Sequence, residues 1–254
     1  MIKRLRPALL LLLCLGLPVS AEQPAPLSYL TEAYPPYNYS DDNILRGIAV
    51  DLLISATQHT SKPVTRSQIR LQPWPRAYRT ALSKPDTVLF STTRTEEREK
   101  LFKWAGPIAT TRVVLLARKS KQIRIESAAD LQQYRIGTVP DDIGEQLLLA
   151  MGVSEKQLKH SANAIALAQQ LQVGRIDLWA YEENVARWFL SNAKLEPDDF
   201  ESVYLLKQGE LWFAFNPQVS DVQVSELQQA IDNLRQQPGR VGKTRYDDIL
   251  LDYL

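Results

Sequence analysis

Cysteine is all but missing from this chain. Cys14 is the only one among 254 residues, and it sits inside an apolar run near the start. Beyond that run there is no thiol, so disulfides, cysteine nucleophiles and cysteine metal sites are excluded. Histidine is nearly as scarce. His59 and His160 lie far apart without motif context, which argues against a Ser-His triad or a histidine metal centre; each reads as a surface residue at a helix end. Neither a Walker loop nor a dinucleotide fingerprint occurs, and no cofactor or metal is expected. An excess of one charge is also lacking. The 30 basic residues face 29 acidic ones, and no basic stripe stands out, so a nucleic-acid surface has no support. There is no internal repeat and no long low-complexity linker.

What is present begins with an export signal. Lys3, Arg4 and Arg6 form a basic start, Ala8 to Leu17 is almost wholly apolar, and Val19-Ser20-Ala21 supplies the small residues a signal peptidase reads. Cleavage is expected before Glu22. The apolar run falls short of the roughly 20 residues of a membrane-spanning helix, and Pro18 interrupts its end. Leu13 precedes Cys14 where a lipoprotein signal would have a small residue. Setting residues 1–21 aside takes 254 residues to 233. It also removes three basic residues and no acidic one, leaving 27 against 29, a formal net charge of −2. That length fits one large domain or two small ones.

Short apolar runs alternate with helical stretches, which predicts an α/β architecture. Strands are expected at Leu27–Thr31, Ile69–Leu71, Thr87–Ser91, Arg112–Arg118, Arg135–Val139, Asp177–Tyr181 and Leu211–Phe215. Helices are expected at Ile48–Gln58, Arg76–Leu82, Ile143–Met151, Ala164–Val173, Glu182–Asn192, Val224–Gln236 and Tyr246–Leu251. Ser127 is expected to cap a short helix. A further helix is predicted from Thr95, with Thr93 and Glu96 at capping-box spacing.

Three stretches invite a ligand. In Tyr34-Pro35-Pro36-Tyr37-Asn38-Tyr39 two prolines fix the backbone, so a tyrosine can be held against a ligand at little entropic cost; a rigid loop packing on its own domain explains the same residues. Trp74, between Pro73 and Pro75, suits an apolar wall or a cation–π surface, or equally the edge of a core. In Phe90 to Arg98 a strand runs into hydroxyl residues and then a helix start. Free N–H groups, hydroxyls and an arginine fork make a natural carboxylate receptor, although an ordinary capped helix would look alike. Only carboxylates remain as acid–base candidates, and Glu182, at a strand end, is the best placed.

Together these stretches resemble the periplasmic solute-binding proteins of family 3, which serve polar amino-acid transporters. The resemblance spans essentially the whole chain after the signal. It is carried by Tyr34-Pro-Pro-Tyr-Asn-Tyr39, Gly47-Ile-Ala-Val-Asp-Leu52, Thr93-Arg-Thr-Glu-Glu-Arg98 with Phe102 and Gly106-Pro107, and Gly174-Arg-Ile-Asp177. It implies a periplasmic-binding-protein fold (type II) of two α/β lobes joined by two crossing strands. Residues 22–109 plus 210–254 would form lobe 1 and 110–209 lobe 2, with the ligand in the cleft and closure by hinge motion. It also implies site roles. Tyr34 stacks on the ligand and Trp74 closes the other side. Ser91 and Thr93 donate, and Arg98 grips an α-carboxylate. Glu182 accepts from an α-ammonium group on the opposite lobe. The sequence departs from the family where a Gly/Ser/Thr turn usually opens the second-lobe helix. Here Val139-Pro140-Asp141-Asp142 stands instead, which favours a cationic or hydroxylated group and brings Asp141 into the candidate site. Arg94 adds a second positive charge beside it.

The resemblance implies a monomeric, non-catalytic protein of the periplasm that captures a small polar ligand, an amino acid or a related compound, for the permease of an ABC transporter. Two alternatives share the scaffold. One is a sensor reporting to a membrane receptor, and the other is a dehydratase-type enzyme using Glu182 or Asp141.

Overall fold

A computed structural model describes residues 26–253. The predicted signal, with Cys14, lies outside the described residues. The chain opens with β1 (Ser28–Thr31), a short hairpin of β2 (Tyr39–Asp41) and β3 (Ile44–Arg46), α1 (Ile48–Thr57), β4 (Ile69–Leu71), α2 (Trp74–Ser83), β5 (Thr87–Thr93) and the single turn α3 (Glu96–Glu99). The long strand β6 (Lys103–Arg118) leads to β7 (Ile136–Thr138), α4 (Ile143–Ala150), β8 (Leu158–His160), α5 (Ala164–Gln172), β9 (Leu178–Glu182) and α6 (Glu183–Asn192). A second long strand, β10 (Phe200–Phe215), returns, and α7 (Asp221–Gln236) and α8 (Arg245–Leu251) follow. Among the described residues no helix is long and apolar enough to cross a membrane.

Eight strands form one mixed sheet in the order β4-β1-β5-β10-β6-β9-β7-β8. At one end β1 pairs in parallel with β4 and β5, and at the other β7 pairs in parallel with β8 and β9. The two parallel ends need helical crossovers, which accounts for the alternation of short apolar runs and helices. Between them β6 and β10, each 16 residues long, run antiparallel from Phe200 opposite Arg118 to Phe215 opposite Lys103. Their opposite ends serve different halves: Leu211–Phe215 of β10 joins β5, and Val113–Leu116 of β6 joins β9.

Both ends are dry. Every residue of β5 and of β9 is buried, as expected of strands covered on two faces. A separate apolar cluster, including Leu115, Leu131, Ile136, Leu148 and Leu178, belongs wholly to the β7–β9 half.

Most expected elements lie within two residues of their observed limits. The central pair is longer than the patterns at 112–118 and 211–215 predict, because Lys103–Thr111 contains Pro107 and residues 200–210 are mostly half-exposed, so neither reads as an apolar run. The hairpin and β8, three residues each, were too short to register. The helix after β5 is capped by Thr95, whose side chain accepts from the Arg98 N–H, and not by Thr93, which is still within the strand.

Candidate functional site

Arg98 is the pivot. It lies on the four-residue turn α3 yet is only 1% exposed. Its Nε donates to Gln146 Oε1 at 3.0 Å, Nη1 to the Thr93 carbonyl at 3.2 Å and Nη2 to the Asp141 carbonyl at 3.4 Å. Its guanidinium lies 5.4 Å from the centroid of Trp74 and 5.1 Å from that of Tyr78. Burial pulls its pKa down, while the neighbouring Tyr78 and Asp142 pull it back up. Thr93, Trp74 and Tyr78 come from the β1–β5 half; Asp141 and Gln146 come from the β7–β9 half. Arg98 therefore sits at the junction.

Trp74 meets the same carbonyl from its own side: its Nε1 donates to Asp141 O at 2.9 Å. Pro73 and Pro75 fix its place at the start of α2, where it is 2% exposed and stacked on Tyr78 at 5.5 Å. Asp141 can offer its carbonyl this way because its backbone is left-handed, at φ 62°, a region that Asp tolerates better than most residues. Its carboxylate points elsewhere, to Arg79 across the junction at 2.9 Å. The Asp141 carbonyl thus accepts from Trp74, Arg98 and Gln146, and its acid forms an outer ion pair.

Ser91 is also left-handed, at φ 58°. The register of β5 against β10 passes from Thr92↔Trp212 to Leu89↔Ala214, so β5 carries an extra residue there. Such a bulge re-aims a side chain, and the Ser91 hydroxyl donates to Asn38 Oδ1 behind the tyrosine loop. The Thr93 carbonyl serves Arg98. Arg94 does not join the site: it pairs with Glu99 at 2.6 Å and lies over Trp212 at 4.5 Å.

Tyr34 is buried against Tyr181 of β9, edge to face, with centroids 5.6 Å apart. Around this pair stand three acids. Glu182, 1% exposed, caps α6 by accepting from the Val185 N–H at 2.8 Å. Its other oxygen receives the Tyr37 hydroxyl and the Arg112 N–H, each at 3.4 Å. Burial raises its pKa to about 7, the N–H groups of Val185 and Arg112 opposing. Protein donors reach both of its oxygens, and among the described residues it makes no ion pair.

The other two acids are Asp142 and Glu32. Asp142 precedes α4, is 4% exposed, and its Oδ2 has no hydrogen-bond partner. Its pKa is raised to about 6 by burial, against the pull of Arg98 and of the Ile143 and Gly144 N–H groups. Glu32, just after β1, is only partly accessible, and its pKa is pushed well above the carboxylate range by burial and then by Asp142, with Arg98 opposing. It helps to line a cavity of about 640 Å³ between the halves, walled by Leu71, Gln72 and Pro73 on one side and by Ser161–Ile165, Tyr181 and Phe189 on the other. Glu32 is the only charged residue on that wall.

The sequence pattern of bacterial extracellular solute-binding proteins, family 3, matches residues 28–240. The chain belongs to that family. Proteins of this family capture small solutes, and the two ends of the sheet are the lobes of a periplasmic-binding-protein fold. Among solved structures, an ancestral arginine-binding protein bound to arginine superposes with a TM-score of 0.73 at 18% identity, over 91% of this chain and 100% of its own. A histidine kinase sensor domain with similarity to periplasmic binding proteins gives 0.75 at 17%, over 89% and 96%. The substrate-binding protein of an amino acid ABC transporter gives 0.70 at 16%, over 90% and 99%. These identities establish the fold and no more. No curated protein matches.

Of the residues singled out by sequence, the structure gathers Tyr34, Trp74, Thr93, Arg98 and Asp141 at the junction, and places Ser91 and Glu182 behind it in supporting bonds. Sequence reasoning passed over Glu32, Asp142 as a separate acid, and Tyr181. The signal for Asp142 was there: Asp at the residue before an apolar helical run is an N-cap pattern. Glu32 had none, since one acid after a strand is ordinary.

Proposed function

We propose that this protein works in the periplasm, where residues 22–109 with 210–254 and residues 110–209 close as two lobes on one small polar ligand bearing an ammonium group. The ligand is an amino acid or a close relative of one, handed to the permease of an ABC transporter. The observation that carries this reading is Arg98, a fully buried guanidinium whose partners come from both lobes. Such a charge is costly to bury, and closure supplies two of its three hydrogen-bond partners, Gln146 and the Asp141 carbonyl. Tyr34, Trp74, Ser91, Thr93, Arg98, Asp141 and Glu182 then frame the cleft, with β6 and β10 as the crossings that bend.

The test is a thermal-shift screen of the chain without residues 1–21 against amino acids, amines and small organic acids. Ligand at 100 times its dissociation constant adds about 2.7 kcal/mol. At roughly 2–4 °C per kcal/mol for a chain of this size, the shift is about 5–11 °C. A scattering measurement should show a smaller radius with ligand than without. No stabiliser in the whole screen overturns the reading, and turnover of a prephenate-like acid would replace it with the enzyme alternative. A second reading, ligand sensing for a membrane receptor, is favoured by the sensor-domain likeness. An adjacent permease and ATPase gene supports uptake, and a neighbouring receptor gene supports sensing.

A further inference from the structure

Asp141 is a residue through which the second lobe grips the first. Its carbonyl accepts from Trp74 Nε1 at 2.9 Å and from Arg98 Nη2 at 3.4 Å, and its carboxylate pairs with Arg79 at 2.9 Å. All three of those side chains come from residues 22–109. The orientation of this one residue therefore governs three contacts between the lobes.

The turn at 141 does not hold itself. Its backbone is left-handed, at φ 62°, which is unfavourable for a residue with a Cβ. The support comes from Glu145, in the first turn of α4. In a capping box the acid at the third helical position reaches back to the N–H of the residue that caps the helix. Here that residue is Asp142, and its N–H already donates to the Val139 carbonyl at 3.2 Å. The Glu145 carboxylate reaches one residue further: its Oε2 accepts from the Asp141 N–H at 2.6 Å, a short bond to a charged acceptor. Its Oε1 meets Nε2 of His160, at the end of β8, at 2.5 Å. The Glu145 side chain is only 13% exposed, so little water competes for either oxygen.

We propose that Glu145 is a positioning residue for closure. It fixes the left-handed turn at Asp141, and His160 fixes Glu145, so that the carbonyl and carboxylate of Asp141 are aimed at Trp74, Arg98 and Arg79. Glu145 does not line the cavity between the halves and acts through Asp141. This rests on the capture reading above and adds to it a residue that sets the balance between open and closed lobes.

The chain without residues 1–21 has no cysteine, so a pair introduced as Lys84→Cys and Lys156→Cys, both exposed and one on each lobe, can carry spin labels that report the separation of the lobes. The distances are measured by pulsed dipolar spectroscopy on the protein alone and with each amino acid, amine and small organic acid of the thermal screen. Glu145→Ala should lower the ratio of closed to open separations roughly fivefold or more, as befits a hydrogen bond to a charged group. Glu145→Gln, which keeps an oxygen for the Asp141 N–H, should recover most of that loss. His160→Ala, a milder change at a half-exposed side chain, should lower the ratio by a smaller factor. In a Trp74→Phe background the effect of Glu145→Ala should shrink, because both act through residue 141. A merely structural role would lower the urea midpoint and leave the closed fraction of the folded protein unchanged. That outcome overturns the proposal, as do full additivity with Trp74→Phe and the lack of a closed separation under every condition. The thermal screen keeps the two claims apart: a solute that stabilises the protein, and on which Glu145→Ala closes as the parent does, leaves capture standing and removes the role of Glu145.

Discussion

Glu182 offers a quantitative check on the electrostatics of the closed cleft. Its ordinary pKa of 4.5 rises to about 7 in the fold because burial disfavours the anion. A carboxyl whose folded pKa is raised holds its proton longer in the folded state than in the unfolded chain. Between pH 4.5 and about 7 the folded form thus binds one more proton, and stability falls as pH rises through that window. At 1.36 kcal/mol per pKa unit the loss amounts to about 3 kcal/mol, fully incurred above pH 7 and absent below 4.5. Glu182→Gln removes the titration. Gln keeps one oxygen for the Val185 N–H and the chain keeps its volume, so the swap has an offset that does not vary with pH. The charged groups near this carboxyl, Arg112 and Glu183, pair with each other and are unaltered in the variant. Urea unfolding of both proteins from pH 4.5 to about 8 isolates the effect. The variant's stability relative to the parent should climb by about 3 kcal/mol across the window and then level off. A difference that stays flat, or falls, would refute the claim that burial governs this group.

Other outcomes follow from single contacts. Trp74→Phe deletes the Nε1–H bond to the Asp141 carbonyl, which exists only between lobes; ligand affinity should fall about two- to tenfold with little change in unfolding midpoint, consistent with about 0.5–1.5 kcal/mol for a neutral bond. Arg79→Ala breaks a pair whose arginine is 70% exposed, so its effect on affinity should stay below about 1 kcal/mol and fade in high salt. Gly47→Ala should destabilise by about 2 kcal/mol or more in urea. Its φ is 118°, and a Cβ would lie 2.4 Å from the Tyr37 carbonyl oxygen that anchors the tyrosine loop.

The reach of the sequence can be judged residue by residue. Helix and strand periodicity located α1, α2 and α4–α8 and both parallel ends of the sheet, because each is an amphipathic or wholly apolar run bounded by turn residues. The central pair was half legible: its apolar ends showed, whereas its middle, solvated on the way between lobes, looked like loop. Arg98 and Trp74 were found because charge and bulk flanked by helix starts and prolines are informative locally. Glu182 was found as a residue, but nothing in the chain order reveals that Tyr37, 145 residues away, and the Arg112 amide would meet at one of its oxygens. Asp141 and Asp142 differ by one position and divide their work by backbone angle. The left-handed turn at 141 sends one acid outward to Arg79 and leaves the other inside. A preference of that kind is decided by tertiary geometry, which no spacing rule encodes.

Closure and charge are one problem in this protein. The contacts that hold the lobes together are individually modest: a carbonyl at 141 shared by Trp74 and Arg98, an amide at 146, the Glu182 carboxylate accepting from Tyr37, the edge-to-face contact of Tyr34 with Tyr181, and an outer ion pair at Arg79. Each is of the order of 1 kcal/mol, and together they could move a two-state equilibrium by a few. Against them stands the burial of Asp142 and Arg98, whose charges are costly to enclose: burial raises the Asp142 pKa to about 6 and pulls that of Arg98 down, and each residue opposes the shift of the other. A ligand shifts an equilibrium only by its differential affinity for the two states. One that relieves this cost in the closed form therefore draws the lobes together, and one that fits the cleft without a polar group for either residue does not.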